Sequence, residues 1–233
     1  MKRKQGFTLA EVLITLTIIG VISALTLPNI QTNLSANRNR ATLKNTMAIL
    51  SQAAQNNMAN EGWNFSQITD ACGETAVGRT HNARENYSMC GLLNSNLTGE
   101  TLLGVALETG TPEGGLYKPQ ASLPCSFGNT VTYHLTNGAI VGLATNTNGL
   151  NCQENDSGNC FGYIDVNGFA GPHREITCSD GTKHYYMNDN GTPDRTRFCA
   201  VERTVNADIY PIVFHGNTVE LSSDAARSFL NGR

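Results

Sequence analysis

The chain has 233 residues, of which 39% are hydrophobic and 7% aromatic, the composition of a folded protein rather than a disordered one. Only 15% are charged and the formal net charge is −3, which argues against a protein built to wrap nucleic acid, since such proteins are basic. The first thirty residues differ in character from the two hundred that follow.

MKRKQG is followed by FTLAEVLITLTIIGVISALTL, and Pro28 comes next. From Phe7 to Leu27 the single charge is Glu11, and as a helix at about 1.5 Å per residue this run spans roughly 32 Å, the thickness of a bilayer's hydrocarbon core. Lys2, Arg3 and Lys4 precede it, and no further basic residue occurs before Arg38. The positive-inside rule then predicts a cytoplasmic leader over 1–6, a transmembrane helix over 7–27, and the remainder on the far side of the membrane. A secretory signal peptide fits less well. Its apolar region is shorter, and Ala24-Leu25-Thr26 is a poor cleavage site. A plain single-pass anchor accounts for the run but not for its acid.

A carboxylate in an apolar helix costs about 2.5–3.5 kcal/mol on insertion scales and calls for a partner. The nearby cations lie in the leader. If the bond after Gly6 is cut, however, Phe7 gains a free α-amino group one helical turn from Glu11. In a bundle of parallel helices Glu11 of one subunit can pair with the amine of its neighbour, which removes two isolated charges and sets the axial register.

The string Gly6-Phe7-Thr8-Leu9-Ala10-Glu11, after a short basic leader and before an apolar helix, resembles the type IV prepilin signal shared by type IV pilins and type II secretion pseudopilins. The resemblance covers roughly residues 1–60. It implies cleavage after Gly6 by a prepilin peptidase, N-methylation of Phe7 by the same enzyme, an assembly role for Glu11 and a helix kink at Pro28. Its implied partners are other pilin or pseudopilin subunits, the peptidase and an inner-membrane assembly machinery. The implied location is the bacterial inner membrane with a periplasmic head, followed by a filament.

Beyond Pro28 an amphipathic continuation is expected over 28–61. Ile30 and Leu34, then Leu43, Met47, Leu50, Ala54 and Met58, recur at helical spacing, Arg38, Arg40 and Lys44 are assigned to the solvent side, and Gly62 is the stop. Pro28 and the low propensity of Gly20 favour bending.

Residues 62–233 read as a β-rich head long enough for its own core. Thr130–Leu135 and Ala139–Leu143 flank Asn137-Gly138, which predicts a hairpin with a type I′ turn. Phe161–Val166 and His184–Met187 read as strands, Ile209–Phe214 and Thr218–Leu221 as a second hairpin around His215-Gly216-Asn217, and a terminal helix starts at Ser223. The stretch from Gly62 to Ser126 shows no clear pattern. The expected fold class is therefore α+β, with a long N-terminal transmembrane-plus-amphipathic helix packed on a mainly antiparallel sheet, and with Cys-rich loops.

Seven cysteines, at 72, 90, 125, 152, 160, 178 and 199, include no C-x-x-C, which removes the usual zinc and thioredoxin-type signatures. Across a membrane they read as disulfides, at most three with one thiol left over, and Cys152–Cys160 and Cys178–Cys199 are the pairs that bracket turn-rich loops. Reduced, buried cysteines are the alternative. No metal or cofactor is expected. Asp165, Asn167, Asp189 and Asp194 are candidate calcium oxygens, but no run matches an EF-hand, and Asx beside glycine more often forms turns. Asp156-Ser157-Gly158 resembles part of a serine-protease nucleophile loop but lacks its flanking glycines and an assignable base.

The expectation is a non-enzymatic filament subunit, of a pilus or of a secretion pseudopilus, with no nucleic-acid partner. The alternatives are a minor pilin whose head binds a surface, DNA or a secreted substrate, and a membrane-tethered periplasmic protein of another function.

Overall fold

A computed structural model describes residues 7–68, 87–97, 101–107, 129–145, 160–170, 173–182, 196, 198–201 and 207–232. The predicted strand His184–Met187, the candidate oxygens of Asp189 and Asp194, Cys152 and the Asp156-Ser157-Gly158 string lie outside these residues. Helix α1 (Leu9–Glu61) is a single element that continues through Pro28. The chain divides into two compact units, residues up to Arg38 and residues from Asn39 onward.

In the second unit six strands form a meander in the order β1-β2-β3-β4-β5-β6, each antiparallel to its neighbours. They are β1 (Thr101–Leu107), β2 (Asn129–His134), β3 (Ile140–Thr145), β4 (Cys160–Asp165), β5 (Ile209–His215) and β6 (Thr218–Leu221). Among the described residues two short helices, α2 (Met89–Asn96) and α3 (Asp224–Asn231), join the sheet in an α+β architecture. Alternate residues of β3, β5 and β6 join one apolar cluster, Val141 and Leu143, Tyr210, Ile212 and Phe214, Val219 and Leu221, together with Tyr133 of β2 and Leu135 just beyond it. That period of two follows from the pleat. Leu43, Leu50, Ala53 and Ala54 of α1 belong to the same cluster.

The buried face of α1 differs from the expected stripe. Asn39, Leu43, Thr46, Leu50, Ala53 and Asn57 are buried, whereas Met58 is 41% exposed. With Ala54 there are seven buried positions, three of them polar; Leu43, Leu50 and Ala54 of the expected stripe are among them, and the polar three are what a count of apolar residues misses. Each has a partner: Asn39 Nδ2 donates to the Ala207 carbonyl (3.2 Å), Thr46 Oγ1 accepts from Asn137 Nδ2 (2.8 Å), and Asn57 Nδ2 donates to the Trp63 carbonyl (2.9 Å). Buried polar groups are tolerated when paired in this way. Arg40 is also corrected. It does not point freely to solvent, because its Nε donates to the Phe229 carbonyl (2.9 Å) and its guanidinium lies 5.1 Å from the Phe229 ring centroid. A cation there meets the carbonyl end of α3 and an aromatic face together.

The β2–β3 hairpin forms with a different turn. The Gly138 N–H bonds to the Leu135 carbonyl (3.0 Å) and the Leu135 N–H to the Ala139 carbonyl (2.9 Å), and Gly138 alone of the pair has positive φ, at 85°. This is a three-residue loop ending in a left-handed glycine rather than a type I′ turn, which needs positive φ at both central residues. Asn137 instead uses its side chain, accepting from the Ala139 N–H and donating to Thr46. The second hairpin turns through Gly216-Asn217 and docks on the 3-10 turn Phe65–Gln67, whose Phe65 N–H reaches the Gly216 carbonyl at 3.1 Å.

Near the C-terminus Ser223 caps α3 by accepting from the Ala226 N–H, and Gly232 ends it with φ 74°. Tyr210 stacks on Phe229 and donates its hydroxyl to the Ala207 carbonyl. Burial pushes the Tyr210 hydroxyl well up from its ordinary value. Its contribution to stability is therefore complete below the usual tyrosine range and is lost only as alkaline pH forces ionisation.

A disulfide joins Cys178 and Cys199. Cys90 and Cys160 are also disulfide-bonded. The 21-residue separation of Cys178 and Cys199 implies about 3 kcal/mol from loop closure. The Cys178→Ser variant should accordingly unfold at clearly lower denaturant in a urea titration of the detergent-solubilised protein, and an unchanged midpoint would show that the bridge adds nothing to stability.

Candidate functional site: a capped apolar helix

Thr8 and Glu11 start α1 by a reciprocal cap. The Thr8 N–H and Thr8 hydroxyl both donate to Glu11 Oε2 (2.8 and 2.9 Å), and the Glu11 N–H donates to Thr8 Oγ1 (3.3 Å). This is a capping box, in which the first-turn carboxylate satisfies a backbone donor that the helix leaves unpaired. The carboxylate also sits at the positive end of the helix dipole. Glu11 thus has a partner in Thr8, besides the Phe7 amine of its own or a neighbouring chain on which the sequence expectation rests. The T-x-x-E spacing is the signal that reveals Thr8. Gly6, the predicted cleavage position, lies just before the described residues, and Phe7 follows it, 89% exposed.

Downstream of the cap, Leu9–Thr26 is long and apolar enough to cross a membrane, and none of it is buried in the protein. Leu13, Ile18, Ile22 and Leu25 are all more than half exposed. A core helix of a soluble protein would bury such side chains, so this segment is suited to lipid or to other helices. The hydroxyls of Thr15, Thr17 and Thr26 bond back to the carbonyls of Val12, Leu13 and Ile22, which leaves no hydroxyl among these three unsatisfied in an apolar setting.

In the head the structure brings Asp165 and Asn167 together, joined by the Asn167 N–H to Asp165 Oδ1 (3.0 Å). It adds two residues that sequence reasoning missed. His173 Nδ1 lies 2.9 Å from Asp165 Oδ2, and Asp208 accepts from the backbone N–H groups of His173 (2.8 Å) and Arg174 (2.6 Å). His173 has φ 54°, a conformation uncommon outside glycine, and these bonds hold it there. One ligand atom each from Asp165, His173 and Asp208 lie within 4.8 Å of one another, so the three could approach a metal ion. The set includes an imidazole where calcium prefers oxygen, and each group already has a protein partner. The arrangement accounts for how the 173–176 segment is pinned beside β5. No sequence motif links positions 165, 173 and 208.

A cleft of about 280 Å³ beside α1 is lined by Ile49, Gln52, Ala53, Asn56, Asn96, Leu97, Leu135 and Thr136. Its lining offers amides and a hydroxyl but no titratable side chain.

Fold and helix together define an α+β protein whose first helix carries a capped, lipid-compatible segment that fits membrane anchoring. Residues 1–27 match the family model of the prokaryotic N-terminal methylation motif, the signal of type IV pilin and pseudopilin precursors. The chain matches no curated protein and no solved structure.

Proposed function

We propose that this chain is a prepilin-like structural subunit, cleaved after Gly6, N-methylated at Phe7, and assembled through its N-terminal helix into a type IV pilus or type II secretion pseudopilus. The single observation that carries this reading is the methylation motif over residues 1–27, placed on a helix whose apolar side chains have no partner in the protein. The subunit catalyses nothing itself. Its head stands in an oxidising periplasm, a placement favoured by the Cys178–Cys199 disulfide.

The mechanism follows from the cap. In the free subunit the Glu11 carboxylate is held by Thr8. In a bundle of parallel helices it exchanges those bonds for the Phe7 ammonium of a neighbour, while the side chains of 9–26 exchange lipid for other helices. Helix association in lipid is driven by packing, hydrogen bonding and lipid entropy rather than by the hydrophobic effect, so one specific charge pair can decide the register. Removing the leader takes away Lys2, Arg3 and Lys4, the cations that hold the N-terminus on the cytoplasmic side.

Mass spectrometry of the protein from its native host should find an N-methylated phenylalanine as the first residue. A chain that retains residues 1–6, or that starts after Thr26, would overturn the proposal. Genes for a pilus or for a secretion system beside this one would separate the two kinds of filament.

A further inference from the structure

Among the described residues one group of histidine and carboxylate side chains converges on a point, with a ligand atom each from Asp165, His173 and Asp208 within 4.8 Å of the other two. Asp165 ends β4, His173 lies beyond the turn that follows, and Asp208 directly precedes β5. Both carboxylates are 0% exposed, and the His173 side chain is 24% exposed. Their hydrogen bonds to the backbone are compatible with an ion. A carboxylate has about four lone-pair sites. The N–H groups of Asn167 and Arg174 take one site each on Asp165 Oδ1 and Asp208 Oδ1, and the His173 N–H takes one on Asp208 Oδ2, which also lies 3.5 Å from Asn167 Nδ2. Bonds of this kind orient carboxylate ligands in metal sites rather than compete with the metal. Asp165 Oδ2 faces His173 Nδ1 at 2.9 Å, an acceptor and a ring nitrogen that are both metal-ligating atoms.

We propose that Asp165, His173 and Asp208 hold one divalent ion of the zinc class, which takes the place of the proton between His173 Nδ1 and Asp165 Oδ2. Ligands of a tetrahedral zinc ion, each at about 2.0–2.2 Å, stand roughly 3.4 Å apart, so no pair in this group has to close by more than about 1.4 Å. On binding, the Nδ1 proton of a neutral ring reappears at Nε2, and that of an imidazolium leaves to water. The imidazole is what selects zinc over calcium and magnesium, which favour oxygen ligands throughout. Three protein ligands leave a fourth position to water. The ion ties the end of β4, the segment at 173 and the start of β5 together, so the head is more stable with metal than without it. This site does not rest on the filament reading and is independent of cleavage after Gly6.

The test uses the full chain in detergent, freed of metal with a chelator and alkylated at the thiol that an odd number of cysteines leaves over. Zinc chloride at about a hundred times its dissociation constant should raise Tm by roughly 5–10 °C, and calcium or magnesium at the same concentration should not. His173→Asn removes the imidazole with a residue that also accepts the left-handed backbone found there, at φ 54°. That variant should keep its metal-free melting temperature and bind zinc at least tenfold more weakly in a calorimetric titration. X-ray absorption of the zinc-loaded wild-type chain should show nitrogen and oxygen at about 2.0–2.2 Å, one imidazole, and no sulfur near 2.3 Å. This measurement decides the ligand set whether or not the variant folds. The proposal is overturned if the wild-type chain takes up no zinc, if calcium stabilises it as much as zinc does, or if a folded His173→Asn keeps the wild-type affinity. Sulfur or a second imidazole around the zinc would place the ion elsewhere in the chain and overturn it too. None of these outcomes bears on whether residues 1–6 are removed, so the filament reading stands or falls separately.

Discussion

Glu11→Ala should leave the protein in the membrane and remove it from filaments. Insertion becomes easier, since a carboxylate costs about 2.5–3.5 kcal/mol in an apolar helix. The lost cap bonds cost about 1 kcal/mol of local helix stability, too little to expel a span of this length. In a bundle the change leaves each neighbour's Phe7 ammonium without its counter-charge, a penalty of several kcal/mol in an apolar interior. Each 1.4 kcal/mol is tenfold in an equilibrium, so filament yield measured by shearing and electron microscopy should fall at least tenfold while the amount in the membrane fraction is unchanged. Two further variants separate the carboxylate's roles. Thr8→Val removes the hydroxyl's part in the cap but keeps the charge and should assemble, whereas Glu11→Gln keeps a hydrogen-bonding side chain without the charge and should not. Normal filaments from Glu11→Ala would end the register argument.

The second large effect lies in the sheet. Gly142 of β3 pairs with Tyr163 of β4, and the tyrosine ring lies across it. A Cβ at position 142 would stand 2.0 Å from Tyr163 Cε1 and 2.1 Å from Cζ. Tyr163 is fully buried and cannot swing into solvent without emptying its site. Gly142→Ala should therefore destabilise the head by about 3 kcal/mol, between ordinary overpacking and the loss of a buried aromatic. For a protein of this size that lowers Tm by roughly 6–12 °C in a thermal melt. Tyr163→Ala in the same chain should remove most of the added penalty, so that the two changes together cost less than their sum. An unchanged melting temperature for Gly142→Ala would show that the ring does not occupy the place described.

These two residues differ in how far they could be read in advance. Glu11 stands out because an acid in an apolar run violates a composition rule, and Thr8 follows from a four-residue spacing. Gly142 carries no such mark, since the ring that forbids a side chain there comes from another strand. The hairpins were legible for a related reason. The short β-like runs Thr130–Leu135 and Ile209–Phe214 and the glycines beside them are local signals, and Pro211 does not interrupt β5. The turn between β2 and β3 was misread because the Asn137 side chain is drawn to Thr46 of α1, a partner 91 residues away. The apolar stripe on α1 holds at Leu43, Leu50 and Ala54 but misses Asn39, Thr46 and Asn57, which are accepted into the core because donors and acceptors meet them there. Helix α2 escaped because its eight residues are too few to establish a period, although the Ser88 cap is visible once sought.

By itself the sequence determined what near neighbours along the chain define: the apolar span, its basic leader, its acid, and the short strand runs bounded by glycine turns. Those depend on spacing between near neighbours and on the cost of charge in an apolar medium. Only the tertiary structure decided which polar residues are buried, where Arg40 goes, that Asp165, His173 and Asp208 meet, and that the Tyr163 ring covers Gly142. Most of those depend on groups far apart in the chain, Asn39 with Ala207, Arg40 with Phe229 and Asp208 with Arg174, and a buried polar group is tolerable only where a partner meets it.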